Sequence, residues 1–315
     1  MLKFTIRRIF SAIPVLFIVV SLVFALIRII PGDPTIMILG EEATDEEYAE
    51  LREKMGLNDP MIVQYVRYLK DIITGNWGTS MYNNKPVFEN IFSRWEPTIL
   101  LTFYSTILAV LIGVPVGIIA ATHRNSPLDY AVTTISAVGM SAPGFWVGLM
   151  MVYFLGVQLR LFPVQGYITL EAGGLAGALK SLTMPAMALS LSHQATLCRY
   201  TRTMMLDVLS NDYVRTARAK GLHENIVNYK HALKNALGPV VTNIGFAIAS
   251  KLGGSTVSET VFNLPGVGKL AYDSLMRRDY DQEQAIILFV AVLLIFTNIL
   301  LDIVYKLLDP RIEFD

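Results

Sequence analysis

Few residues of this chain have the types and spacing that enzyme chemistry requires. The four histidines lie far apart, and no His-Glu-x-x-His or Cys-x-x-Cys spacing occurs. Cys198 is the only cysteine, which excludes an internal disulfide framework and a cysteine-based metal cluster. Residues 263–270, Asn-Leu-Pro-Gly-Val-Gly-Lys-Leu, come nearest to a phosphate-binding loop, but the first glycine and the hydroxyl residue after the lysine are missing. We therefore predict no catalytic residue, metal, cofactor or nucleotide site.

One short pattern resembles the Gly-x-Ser-x of rhomboid intramembrane proteases. It is Gly139-Met140-Ser141-Ala142, and His193, in another apolar segment, could act as the base that activates Ser141. However, His193 lacks the Gly-rich setting that a close Ser–His pair of helices needs. Pro143 instead predicts a helix kink at which the Ser141 hydroxyl satisfies a freed carbonyl group. An intramembrane protease therefore remains a minor alternative.

The bulk composition indicates the environment in which any site must be built. Of 315 residues, 53% are apolar and 17% are charged, and the mean hydropathy is +0.48. This value is well above that of a soluble domain, so we predict a protein of the bilayer. The 26 basic and 26 acidic residues cancel, which leaves no basic excess for a nucleic-acid partner.

Apolar runs predict an all-α polytopic membrane protein with six transmembrane helices. The first run covers about 33 Å as a helix, which is enough to cross the hydrocarbon core, and it lacks the short apolar core of a cleaved signal peptide. The fourth and fifth runs contain polar residues, so we expect the other helices to shield them from lipid. The six runs are residues 9–30, 98–121, 130–159, 182–197, 239–257 and 285–308.

Six spans place both termini on one side of the membrane, and basic residues indicate which side. The termini and the connections on their side carry thirteen Lys and Arg residues, against five in the short connections on the other side. By the positive-inside rule, both termini are cytoplasmic in a multi-pass protein of the cytoplasmic (inner) membrane. We divide the chain into the N-terminus with the first helix (residues 1–30), an outer segment (residues 31–97) and a permease core (residues 98–315). That core contains a cytoplasmic connection (residues 199–237).

The sequence of the outer segment predicts a small ordered subdomain. Residues 46–55 form a charged helical pattern that Gly56 ends, and residues 61–73 place apolar side chains at helical spacing. The simpler interpretation is a cap that packs on the membrane helices. A docking surface for an external protein is the alternative.

The cytoplasmic connection contains the most specific pattern. Asp212 is a credible N-cap and Gly221 a credible C′ residue of a short helix that is too polar to enter the membrane. Thr216, Ala217 and Ala219 are small, so the backbone of another protein could approach this helix closely. A basic surface loop is the simpler alternative, but it does not explain the caps or the second amphipathic segment that follows.

This connection resembles that of the membrane-spanning subunits of binding-protein-dependent ABC importers, in the dipeptide/oligopeptide/nickel permease group. Those subunits have the pattern Glu-Ala-Ala-x3-Gly-x9-Ile-x-Leu-Pro. Its positions are held here, in order, by Arg215, Thr216, Ala217, Gly221, His231, Leu233 and Lys234. The departures at the Glu, Ile and Pro positions match the forms typical of the peptide group, whose loops read Tyr-x-Arg-Thr-Ala-Arg-Ala-Lys-Gly-Leu and then His-Ala-Leu-Arg-Asn-Ala.

The resemblance covers nearly the whole chain. Further segments similar to motifs of the group are Pro31-Gly32-Asp33-Pro34, Gly113-Val114-Pro115-Val116-Gly117, Glu259-Thr260-Val261-Phe262, Pro265-Gly266-Val267-Gly268, Arg278-Asp279-Tyr280 and Asp309-Pro310-Arg311. These motifs are specific for the permease group but leave the solute open among dipeptides, oligopeptides, glutathione and nickel.

The resemblance implies the fold of a type I ABC importer permease and a set of partners. These are a second homologous permease, two ATPase subunits that bind ATP and Mg²⁺, an extracytoplasmic solute-binding protein and the surrounding lipid. It implies a peptide as substrate, with glutathione or nickel as alternatives. The coupling helix that contacts an ATPase would be formed by Tyr213, Arg215, Thr216, Ala217, Arg218, Ala219, Lys220, Gly221 and Leu222.

A translocation pathway is predicted along the polar residues of the spans. Its candidates are Ser141, His193, Lys251 and Ser255. A lysine at bilayer depth is costly, so Lys251 is expected to face protein or water, either on the pathway or as a structural partner of Asp302. An ion-coupled secondary transporter is a further alternative, but no inverted repeat is visible.

Overall fold

The computed structural model describes residues 2–29, 33–40 and 42–308, and these are almost entirely helical. The motif residues Pro31, Gly32 and 309–311 lie outside the described residues. The α-helices are α1 (Leu2–Ile29), α2 (Pro34–Leu39), α3 (Asp45–Lys54), α4 (Met61–Thr74), α5 (Val87–Ser93), α6 (Trp95–Thr122), α7 (Pro127–Ser141), α8 (Gly144–Met151), α9 (Leu170–Leu209), α10 (Asp212–Ala219), α11 (Glu224–Ile226), α12 (Leu233–Leu252), α13 (Thr256–Val261), α14 (Val267–Arg277) and α15 (Tyr280–Leu308). Two π-helical segments, Val152–Gln158 and Val227–Ala232, follow α8 and α11.

The predicted apolar runs coincide largely with helices, but residues 130–159 cross the break between α7 and α8, and residues 239–257 cross the break between α12 and α13. By length and apolar composition, two described stretches can cross a membrane, Val87–Thr122 and Tyr280–Leu301, and a third can if the bent pair Pro127–Ser141 and Gly144–Gln158 forms one span. Helix α1 contains a shorter apolar stretch, Phe10–Leu26. Helix α9 is far longer than the predicted fourth run. The count of six spans therefore stays a prediction.

Helices α6 and α9 form the most extensive helix pair of the described chain, and two glycines make it possible. A β-carbon at Gly113 would lie 2.7 Å from the main-chain oxygen of Gln194, and one at Gly117 would lie 2.6 Å from that of Cys198. Their four-residue spacing matches the small-xxx-small pattern of closely packed membrane helices. The motif residues 113–117 therefore have a packing role.

An ion pair between the buried Asp129 and the partly buried Arg202 fixes α7 to the C-terminal half of α9. Asp129 is 1% exposed, and its two carboxylate oxygens accept hydrogen bonds from Nε and NH2 of Arg202 at 2.6 and 2.7 Å. The amide of Asn125 donates to the same carboxylate at 3.0 Å. This bidentate geometry is the favourable one for a desolvated pair.

The later half of the outer segment packs on the ends of the membrane helices. Val87 and Ile91 of α5 join Val267, Ile286 and Phe289 in one buried cluster. Below them, the buried carboxylate of Asp279 accepts hydrogen bonds from the Ser80 hydroxyl and from the Met81 amide. This part of the segment is a packed cap.

Helix α4 does not fit the expectation of a packed cap. Its only buried residue is the polar Gln64, whereas Ile62, Val66 and Ile73 are 66%, 59% and 84% exposed. The periodicity predicted the helix correctly, but most of the apolar face points away from the protein. In a membrane protein, an apolar face need not be an inner face.

The glycine contact between α6 and α9 can be tested directly. We expect Gly117→Ala to lower the thermal unfolding midpoint of the purified protein, because the new methyl group forces the helices apart at a cost of about 1–3 kcal/mol. Gly238→Ala is the matched control, since it lies in α12 with nothing within 4 Å of its β-carbon. Equal midpoints for the two variants would contradict the assigned close packing.

Candidate coupling surface and translocation pathway

The short helix of the cytoplasmic connection is present, with one change at its start. Helix α10 begins at Asp212, and the N-cap is Asn211 rather than the predicted Asp212. At the other end, Gly221 has φ +74° and lies at the C′ position, as predicted. The left-handed conformation at this position favours glycine, so the sequence signal for the helix end was reliable.

The exposed face of α10 differs from the one predicted from its small side chains, because Ala217 is buried. Val214 and Ala217 are 0% and 6% exposed and pack with Val227 of the same connection. Ala217 therefore faces this chain and cannot form part of an open small-residue surface. The exposed residues of the predicted coupling set are Tyr213, Arg215, Thr216, Arg218, Ala219, Lys220 and Gly221, while Leu222 is half-buried.

Polar contacts join α10 to the segment that follows. The guanidinium group of Arg218 donates to both carboxylate oxygens of Glu224, at 2.8 and 3.3 Å. The Asn235 side chain donates to the Tyr213 hydroxyl at 2.8 Å. The connection is thus a packed unit that joins the end of α9 to the start of α12.

Two of the four predicted pathway residues meet inside the helix bundle. The Lys251 ammonium group, half-buried on α12, donates to the hydroxyls of Ser105 at 3.2 Å and Thr106 at 3.4 Å. His193 on α9 lies close enough to Lys251 for a charge–charge interaction between the two side chains. The buried Nε2 atom of His193 has no hydrogen-bond partner in the described chain. Among the residues that the structure describes, no carboxylate forms an ion pair with Lys251. The side chain of Asp302, its other predicted partner, lies outside the described residues.

The predicted bend at Pro143 is present, but the Ser141 hydroxyl bonds to a carbonyl other than that of Gly139, the one that the proline frees. This hydroxyl donates to the main-chain oxygen of Ala137 at 2.9 Å, at the point where α7 ends and the chain bends by 95° into α8. The described contacts of Ser141 and His193 include no hydrogen bond between them. The geometry therefore gives no support to a Ser–His protease pair.

Ser255 belongs to a different site, centred on the buried Glu259. This carboxylate is 1% exposed and accepts hydrogen bonds from the Thr98 hydroxyl at 3.0 Å, the Lys269 amide at 2.8 Å and the Ser255 hydroxyl at 3.4 Å. Burial raises the pKa of the Glu259 carboxyl group, and these donated hydrogen bonds oppose that shift. The Thr98 hydroxyl also accepts from the amide of Val267 at 2.9 Å, which ties α6 to this site.

The Glu259 site explains the loop that resembles a phosphate-binding loop. Residues 264–269 wrap the Glu259 carboxylate, and a β-carbon at Gly266 would lie 2.3 Å from it. A β-carbon at Gly268 would lie 2.8 Å from the Thr256 amide nitrogen. The anion that these main-chain amides bind is therefore a side chain of the protein itself.

The sequence interpretation missed the hydroxyl residues of α6. Thr98, Thr102, Ser105 and Thr106 are all buried, although they lie in an apolar run. Their spacing of three or four residues places them on one helical face, and that periodicity was the available signal. This polar face meets Glu259 at one end of the molecule and Lys251 further along the helix.

The fold is that of a helical membrane protein. This fold is similar to that of the inward-facing MetNI methionine ABC transporter, with a TM-score of 0.59, 18% identity, and coverage of 71% of this chain and 98% of that one. At this identity, the similarity concerns the fold alone.

Sequence comparison identifies the family. Residues 113–314 match the binding-protein-dependent transport system inner membrane component, and residues 1–102 match the N-terminal part of such membrane components. The chain belongs to this family.

Individual relatives align over essentially their whole length. The chain is 41% identical to a probable peptide ABC transporter permease of Sinorhizobium fredii, with 99% of each chain covered. It is 42% identical to the oligopeptide transport system permease AppB of Bacillus subtilis and 40% identical to the glutathione transport system permease GsiC of Salmonella paratyphi A, with full coverage in both cases.

The Glu259 site generates a stability prediction. We expect Glu259→Gln to lower the thermal unfolding midpoint, because an amide NH₂ group would face main-chain donors and leave them unsatisfied at a cost of about 1–3 kcal/mol. Glu46→Gln, on the exposed surface of α3, is the control. An unchanged midpoint for Glu259→Gln would show that the carboxylate does not hold this loop.

Proposed function

We propose that this chain is a membrane-spanning subunit of an ATP-driven peptide importer. One observation supports this most: α10 is a separate amphipathic helix whose inner face is fixed to its own chain and whose outer face is free for a partner. Because no nucleotide site is predicted here, ATP and Mg²⁺ are bound by two partner ATPase subunits. A second permease and an extracytoplasmic solute-binding protein complete the assembly, in a cytoplasmic membrane with both termini inside.

The mechanism transmits motion through the cytoplasmic connection. Closure of the ATPases displaces α10, and the packing of its inner face against Val227, together with the ion pair of Arg218 with Glu224, makes the connection move as a unit. Displacement then tilts α9 and α12, to which the connection is joined at its two ends, and exchanges inward-facing and outward-facing states. These two helices carry His193 and Lys251, so the movement reaches the pathway.

Peptides are favoured over the other solutes of the group. Three of the relatives are named as permeases for peptides, oligopeptides or dipeptides, and others as permeases for glutathione. Lys251 places a cation without a carboxylate partner inside the described bundle, which disfavours a bare metal ion such as nickel and favours a solute with a carboxylate. Ser141 and Ser255 hold local structure, so we assign the pathway to His193 and Lys251.

Coupling can be tested in proteoliposomes that contain the complete transporter. We expect Ala219→Trp to reduce ATP-driven uptake of a labelled peptide at least tenfold without reducing assembly, because the indole obstructs the outer face of α10. Asn225→Trp, exposed in the same connection but on α11, is the control. Normal uptake by Ala219→Trp would refute the coupling assignment, and absence of peptide uptake by the wild type would refute the proposed function.

The role of Lys251 requires a comparison of two substrates. We expect the wild type to prefer a peptide with a free C-terminal carboxylate over the same peptide amidated at the C-terminus, and Lys251→Met to lose this preference. Lys230→Met, at an exposed cytoplasmic position, should retain it. An unchanged preference in Lys251→Met, in complexes that assemble normally, would show that Lys251 only anchors α12 to α6.

A further inference from the structure

Helix α4 combines an apolar exposed face with polar contacts on the opposite side. Ile62, Val66, Leu69 and Ile73 recur at spacings of three or four residues and form one stripe, here called the α4 stripe. Gln64, on another face, accepts hydrogen bonds from Arg28 at 3.1 and 3.2 Å and donates to the main-chain oxygen of Asp59 at 2.8 Å. The polar side of α4 is thus attached to the protein, whereas Ile62, Val66 and Ile73 of the α4 stripe are exposed and Leu69 is half-buried.

The contacts of α4 place it beside the apolar part of α1. The Tyr65 hydroxyl lies 2.6 Å from that of Ser21, and the ring of Phe24 lies 5.1 and 5.5 Å from those of Tyr65 and Tyr68. Ser21 and Phe24 belong to the apolar stretch Phe10–Leu26. Since a helix rises 1.5 Å per residue, Ser21 lies about 12 Å below the end of α1. The Tyr65 side chain therefore reaches the apolar part of α1, while Gln64 contacts Arg28 one residue before the end of α1.

The far end of α4 faces the first turns of α15 across a cavity. Asp71 and Ile72 line a cavity of about 130 Å³ together with Asp281 and Leu288 of α15. Leu288 is eight residues past the start of α15, again about 12 Å along the helix. Helix α4 thus contacts α1 and shares this cavity with α15.

The surfaces that surround the α4 stripe indicate what covers it. Helix α1 exposes large apolar side chains on the same part of the molecule, among them Leu22 and Leu26, which are 55% and 57% exposed. The α4 stripe continues this apolar surface. Arg67 and Lys70 lie on the charged flank of α4, as in helices that lie in a membrane interface.

From this juxtaposition we propose that α4 lies in the outer leaflet of the membrane, with the α4 stripe against lipid acyl chains. The outer segment is then not only a cap in the aqueous phase but a lipid-embedded element beside α1. Contact with lipid explains why residues 61–73 have a strong hydrophobic periodicity although the protein covers little of their apolar surface. This inference is independent of the solute that the importer carries.

Spin labels can measure the environment of the α4 stripe in the full complex. Cys198 is 3% exposed and can stay in place, while Val66→Cys and Ile73→Cys each receive a nitroxide. In phosphatidylcholine/phosphatidylglycerol vesicles, we expect collisions with dissolved oxygen to exceed those with a water-soluble nickel chelate at both positions. Glu50→Cys, on the polar helix α3, is the matched control and should show the reverse order.

Each alternative environment gives a different result. Nickel-chelate accessibility at residues 66 and 73 equal to that at residue 50 would show that the α4 stripe faces water and would overturn the proposal. Low accessibility to both reagents, with an immobilised spectrum, would show that a protein covers the stripe, and would overturn it equally. If the label at residue 66 or at residue 73 prevents assembly, the same comparison is made with the label at the other position.

Discussion

The close contact of α6 with α9 is the constraint on which the other sites depend. Gly113 and Gly117 let the two backbones approach to a distance that any side chain at these positions would prevent. Helix α6 carries the hydroxyls that bind Glu259 and Lys251, and α9 carries His193 and leads into the cytoplasmic connection. A shift between these helices would therefore disturb all of these sites together. Packing of this kind is the main source of helix association in lipid, where helices gain little from the hydrophobic effect.

Four charged side chains of the described chain, three buried carboxylates and the half-buried Lys251, have environments of two kinds. Asp129, Glu259 and Asp279 each accept several hydrogen bonds from partners fixed by the fold, so their burial is compensated locally. Lys251 has only two neutral hydroxyls at 3.2 and 3.4 Å. The three carboxylates thus bind elements together, whereas Lys251 retains capacity for an anion. This contrast, rather than the presence of a lysine in a span, separates a structural charge from a candidate pathway charge.

Much of the architecture followed from local signals in the sequence. The glycine at position 221, the proline at position 143 and the apolar runs correctly predicted a helix end, a kink and the long helices. The motifs also predicted the family, which the comparisons confirmed. Two expectations about surfaces were wrong, those for Ala217 and for α4. In both cases the helix was correct and its orientation was not, because periodicity shows that a helix has two different faces without showing what each face contacts.

The two wrong expectations have opposite physical origins. At Ala217, a small residue suggested a surface for a partner, but Val227 supplies the complementary apolar group from the same chain and makes the connection rigid. At α4, apolar residues suggested an inner face, but lipid offers such residues an environment as favourable as a protein core. In a soluble protein the second error would not arise, since water would disfavour an exposed stripe such as that of Ile62 and Ile73. The contacts of Tyr65 with Ser21 and Phe24 place α4 beside the apolar stretch of α1, which is the observation from which we propose a lipid environment for the stripe.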